Sequence, residues 1–114
     1  METKYTEIFR LRDMLDSAGI EYLYTDESFC LVNTPYEHYH IEVFNPNNHK
    51  RIISVIEGNG SYGREQNLLE IMGCLTPEEA ENGSVAGWLT AEDVFERIKN
   101  ALSGLKEADN ERYV

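Results

Sequence analysis

The sequence predicts an α+β domain in two layers: an N-terminal helix, three or four antiparallel strands in a meander, then two or three helices packed on one face of the sheet. Three observations lead there. Apolar residues recur at helical spacing near both ends of the chain. The middle alternates with the period of a strand. A more continuous apolar run, "RIISVI" at 51–56, has the character of a central strand. No internal repeat or low-complexity linker interrupts the chain, so residues 1–105 read as a single domain and 106–114 as a polar tail that frays.

The elements follow in order. Residues 4–18 carry Ile8, Leu11, Leu15 and Ala18 at helical spacing, with Phe9 and Met14 widening the stripe, Thr3 as N-cap and Gly19 as the left-handed stop. Residues 20–24 are rich in β formers, and "TDES" at 25–28 reads as a turn. "FCLVN" at 29–33 reads as a short strand that Pro35 ends or confines to an edge. "EHYHIEVF" at 37–44 alternates, with Tyr39, Ile41 and Val43 on one side and His38, His40, Glu42 and Phe44 on the other. "NPNNHK" has hairpin composition. After "RIISVI", residues 65–72 read as a short helix stopped by Gly73. Thr76 caps a brief helix with Pro77 at its first position and Glu78 and Glu79 at the positive end of its dipole. Thr90 caps the last helix, with Asp93 at the third position. The expected core is Ile8, Leu11, Leu15, Ile53, Val55, Leu69, Val94, Phe95 and Ile98. Trp88, beside Leu89 in a hydrophobic staple, is expected to cover the core edge; the competing reading is an exposed aromatic anchor.

Gly58, Gly60 and Gly63 have the spacing G-x-G-x-x-G between a strand and a helical pattern. A dinucleotide site also needs a βαβ unit that returns to a parallel strand, and "GCLTPEEAENGS" has no strand character. Glu57 and Glu65 flank the loop with only Arg64 against them, so a pyrophosphate would meet like charge. No Lys-Ser or Lys-Thr follows, which removes a Walker loop. The glycines read as a strand exit, where positive φ and close helix approach are needed.

The 114 residues carry 21 acids against 10 bases, a net charge of −11. Residues 13–49 hold seven acids and residues 65–96 eight, and neither window contains a Lys or Arg. Such a surface repels nucleic acid and anionic membrane and attracts basic partners. The two cysteines, Cys30 and Cys74, have no metal or redox spacing. Cys74, beside the expected helix end at Gly73, is expected to be unreactive. The start, "METKYTEIFR", carries acids and no apolar stretch, so no signal peptide is read and a cytoplasmic location is expected.

His38, His40 and Glu42 share one strand face and are candidate ligands, with Cys30 or His49 as a further one; the plain alternative is a solvated polar face. A Mg²⁺ nuclease set fails, because Glu42 and Glu57 are followed two positions on by Phe44 and Asn59 rather than Lys. No Ser, His and acid set has a meaningful spacing. The expectation is therefore no catalytic residue, no cofactor and no metal.

Ser61 to Gly63, "LLEIMG" at 68–73, "LTPEE" at 75–79 and "GWLTAE" at 87–92 resemble small acidic uncharacterised proteins of Gram-positive prophages and mobile elements, over residues 51–98. The resemblance brings no activity with it; it implies an intracellular setting in which acidic proteins present carboxylates where enzymes expect phosphates. The resulting expectation is a non-enzymatic interaction protein, an inhibitor or modulator of a basic, nucleic-acid-handling partner, binding through Tyr39, Glu42, Tyr62, Glu78, Glu79 and Glu81. The alternative is a small ligand- or metal-binding domain, enzymatic or not, built around His38, His40 and Glu42.

Overall fold

The computed structural model describes residues 6–58 and 68–112. Thr3 and the loop residues Gly60, Tyr62, Gly63, Arg64 and Glu65 lie outside the described residues. The chain runs α1 (Thr6–Ala18), β1 (Leu23–Asp26), β2 (Phe29–Leu31), β3 (Thr34–Tyr36), β4 (His38–Phe44), β5 (Arg51–Gly58), β6 (Leu69–Met72), α2 (Pro77–Asn82), β7 (Val85–Leu89) and α3 (Ala91–Arg112). The fold is the expected α+β, with α1 and α3 against one face of an antiparallel sheet. The main sheet has five strands, not the three or four expected, in the order β1-β4-β5-β6-β7, and β2 and β3 form a separate two-stranded hairpin inserted between its first two members. "RIISVI" lies in the central strand, as its apolar character predicts.

The core follows from two periodicities meeting. Ile8, Leu11 and Leu15 of α1 and Val94 and Ile98 of α3 are buried against Ile41, Val43, Ile53, Val55, Leu69 and Ile71, which alternate inward from β4, β5 and β6. Removal of each such side chain from water is worth about 1.5–3 kcal/mol. Phe95, expected inside, is half-buried at the flank, with the Lys99 ammonium 4.9 Å from its ring centroid. Helical spacing placed it near the core stripe, but Val94 and Ile98 occupy the centre of that stripe.

Two elements differ from the sequence reading. The helix expected at 65–72 is a strand over Leu69–Met72. "LEIM" fits a period of two as well as a period near four, and here Leu69 and Ile71 turn inward while Glu70 and Met72 turn out. The segment before α3 is strand β7, whose small residues Ala86 and Gly87 hide its β character. Trp88 consequently does not cover the core edge: it is 56% exposed and has a φ of 58° on the edge strand. Smaller shifts concern β1, which takes in Thr25 and Asp26 from the expected turn. Pro35 lies in the hairpin, away from the main ladder. Helix α3 continues through Arg112, into the stretch read as a tail.

Caps and turns account for the corners. Thr76 and Glu79 exchange reciprocal hydrogen bonds at the start of α2, and Thr90 and Asp93 do so at the start of α3. In the turn between β4 and β5, Asn45 and Asn48 side chains accept from the N–H groups of Asn47 and Lys50. Val32 and Asn33 both have positive φ at the hairpin tip, a turn geometry that suits Asn and strains a β-branched valine.

Gly73 marks a close approach rather than a helix stop. Its φ is 100°, and a Cβ there would collide with the Ile52 carbonyl of the neighbouring central strand. Gly73→Ala is expected to destabilise the fold by about 2 kcal/mol or more, because strain and collision act together. Urea unfolding checks this; a midpoint equal to that of the unmodified protein would show that the backbone there has room to relax.

Candidate functional site

Because α1 and α3 occupy one face of the sheet, the side chains that alternate the other way form a face on which no described helix packs. His38, His40 and Glu42 of β4 lie there as the sequence predicts, but they do not converge as a trio. Glu42 accepts from Arg51 Nη1 at 3.2 Å. The histidines instead turn to Glu27, which directly follows β1: its Oε1 is 3.0 Å from His38 Nδ1 and 3.6 Å from His40 Nδ1. The opposite ring nitrogen of His40, Nε2, is 2.6 Å from Ser54 Oγ on β5. Among the described residues, no group of three or more His, Cys, Asp or Glu is disposed to hold a metal ion.

The register explains how Glu27, His40 and Ser54 meet. Thr25 pairs with His40 and His40 with Ile56, so β1, β4 and β5 bring the three residues to one patch. Glu42 and Met72 are the direct cross-strand partners of Ser54 on its two sides. Arg51 reaches both of them, with Nη2 3.7 Å from Met72 Sδ. Its guanidinium therefore spans β5 at the level of Ser54. The hairpin is tied to the same region: the His38 N–H donates to Ser28 Oγ at 3.0 Å, and Tyr36 stacks between Phe29 and His38. Sequence reasoning missed Glu27, Ser54 and Arg51 because their proximity depends on strand register, which no local spacing encodes.

The expected partner-binding residues are dispersed. Tyr39 turns to the helix side of the sheet and meets Phe9 edge-on, with ring centroids 5.0 Å apart; burial raises its phenol pKa. Tyr62 lies outside the described residues. Glu78 and Glu81 are exposed on α2. Glu79 is engaged: Arg97 of α3 grips both its oxygens at 2.7 and 3.0 Å and also donates to the Cys74 carbonyl at 2.9 Å. The Arg97 guanidinium and the Thr76 N–H hold the Glu79 carboxyl down to about 2. Cys74 follows a strand rather than a helix, and burial is what pushes its thiol up. A concavity of about 1060 Å³ lies elsewhere, between Ile20, Phe44, His49 and Leu102, and its lining includes neither His38 nor His40.

Two carboxylates are buried on the helix side. Glu57 of β5 is 0% exposed and accepts from the Ile8 N–H at 2.9 Å, in the first turn of α1. Its Oε2 has no hydrogen-bond partner among the described residues. Glu7 of α1 accepts at 2.9 Å from the N–H of Ala91, the first residue of α3, and binds Arg10 at 2.7 Å. Arg10 also pairs with Glu92. Burial first, and then the nearby Glu7 carboxylate, raise Glu57 to about 7, against the opposing pull of the Ile8 N–H.

Comparison with protein-family models, curated proteins and solved structures gives no match to this chain. Among the described residues, no helix is long and apolar enough to cross a membrane.

The pH dependence has a definite sign. The folded chain holds the Glu57 proton up to about 7, while the unfolded carboxyl releases it near 4.5. Folding stability from this group is full below about pH 4.5 and is lost as pH rises through about 7. The change is on the order of 3 kcal/mol. Glu79 works in the opposite window, its contribution fading as pH falls from 4.5 towards about 2. Denaturant titrations from about pH 5 to pH 8 should show stability falling in the unmodified protein and a flatter line in Glu57→Gln. Identical slopes would mean that Glu57 is not the titrating group.

Proposed function

We propose that this protein is an acidic interaction module whose partner presents a basic surface, in the mobile-element setting that the resemblance over residues 51–98 suggests. The observation that carries the reading is the composition of the helix-free side. Residues 13–49 contain no Lys or Arg, and on this side the exposed apolar side chains Leu23 and Phe44, with Phe29 and Val32 of the hairpin, stand with Glu27 and with Glu42, which Arg51 holds at 3.2 Å. Apolar area within an acidic collar suits a partner whose apolar contact is rimmed by Lys or Arg. Phe29, 54% exposed although stacked on Tyr36, and Val32, 87% exposed, lie outside the core and offer apolar area to a partner. The exposed acids Glu78 and Glu81 form a second patch on α2, where they speed encounter. Glu79 is assigned to structure by its grip on Arg97.

Capture of a partner from host extract, followed by binding kinetics at about 50 and about 500 mM salt, tests the reading: screening over roughly 8–10 Å should slow association strongly and change dissociation less. Glu78→Lys with Glu81→Lys should lower the on-rate, and Phe29→Ser with Val32→Thr should raise the off-rate, with melting temperatures kept in both. Binding that is indifferent to salt, or a partner whose contact face is acidic, would leave the net charge as a solubility feature.

A further inference from the structure

We propose that Glu27, His40 and Ser54 form a hydrolytic relay for uncharged carboxylic esters with an apolar acyl group, with Arg51 stabilising the oxyanion. The inference stands apart from the acidic-surface reading and departs from the expectation of a chain without catalytic residues. Its basis is the division of labour between the two nitrogens of one imidazole. His40 Nε2 is 2.6 Å from Ser54 Oγ, while Nδ1 faces Glu27 Oε1 at 3.6 Å. The first contact is that of a nucleophile and its general base, and the second sets an acid on the far side of the same ring, the order of roles in a serine–histidine–acid triad, which recurs on unrelated folds. The Glu27 contact is longer than a hydrogen bond, and catalytic contacts of this kind tighten when substrate binds. The second histidine, His38, holds the same Glu27 oxygen at 3.0 Å and so fixes the carboxylate in place.

The chemistry balances without a cofactor. Ser54 Oγ attacks the acyl carbon while its proton passes to His40 Nε2. The imidazolium faces the Glu27 carboxylate, and the negative charge on the former carbonyl oxygen falls near the Arg51 guanidinium, which spans Ser54 from Glu42 to Met72. The ester C–O bond then breaks and His40 gives its proton to the leaving alcohol. Water, deprotonated by His40, attacks the acyl-serine; the C–Oγ bond breaks, the proton returns to Oγ, and a carboxylic acid leaves. The substrate class follows from the surroundings. A net charge of −11 disfavours anionic substrates. Ile56, Met72 and Phe44 flank Ser54 on the same face and favour an apolar acyl chain.

The test uses the full-length protein with 4-nitrophenyl butyrate and a fluorophosphonate that forms a bond to an activated serine oxygen with loss of fluoride. Saturable hydrolysis is expected. Ser54→Ala and His40→Gln should each lower kcat/KM by on the order of 100-fold or more, Glu27→Gln should lower kcat, and Arg51→Ala should lower kcat more than it raises KM. Ser17→Ala, at an exposed position on α1, should change nothing. Peptide mapping of the unmodified protein should find the phosphonate on Ser54, a result that depends on no variant folding correctly. Hydrolysis by Ser54→Ala at the unmodified rate, labelling elsewhere, or no reaction with either probe would overturn the proposal. None of these outcomes depends on the salt-dependent association, so the two readings fail separately.

Discussion

The helix layer depends on where two buried carboxylates are placed. Glu7 joins α1 to the start of α3, and Arg10 joins α1 to Glu92 at the same end. At the other end Ala18 and Leu102 line one concavity. The two helices therefore run side by side in the same direction, a pairing in which their dipoles repel and their unsatisfied N–H groups gather at one end. Glu7 supplies negative charge at that end, and both carboxyl groups supply acceptors. Glu57 anchors α1 to the central strand, and Glu7 anchors α3 to α1. Two apolar side chains at these positions would bury more hydrocarbon, but would leave first-turn N–H groups without partners in the interior.

The central strand gives this constraint a second consequence. Glu57 and Ser54 are three residues apart on β5 and so lie on opposite faces, one under the helices and one on the open side. Whatever fixes the register of β5 positions both. The inward face fixes it: Ile53, Val55 and Glu57 all point at α1 and α3, and a slip of one residue would expose all three while burying Ser54. Burial on one side thus sets which residues are neighbours on the other. The register that brings Ser54 beside His40 is the one the core imposes.

Legibility in the sequence follows the range of the interactions. Thr76, Pro77 and Glu79 announced α2, and Thr90 with Asp93 announced α3, because a capping box is complete within four residues. The stripe of Ile8, Leu11 and Leu15 and the alternation of β4 were legible for the same reason. "LEIM" was not, since four residues fit either period and only pairing with Val55 and Ile56 decides for a strand. Trp88 was misplaced because size argues for burial, whereas its position is set by an edge strand with positive φ. Of the helix-free face, His38 and His40 were visible as a pattern. Glu27, Ser54 and Arg51 were not, because they come from different strands and meet only through register.

The acidity of the chain and the chemistry of its open face bear on each other. A carboxylate beside an imidazole stabilises the imidazolium that forms when a serine is deprotonated, the role the proposed relay gives to Glu27. Further uncompensated acids nearby would oppose the oxyanion, and here the counterweight is local: among the described residues Arg51 is the base placed on this face, neutralised in part by Glu42 at 3.2 Å. Lengthening that contact frees guanidinium charge for an oxyanion. Shortening it withdraws the charge. Glu42, read from sequence as a ligand or as a contact for a partner, is thereby placed to tune Arg51. Were the proposed basic partner to draw Glu42 away, the field of Arg51 at Ser54 would strengthen, and the two proposals would then meet at Glu42.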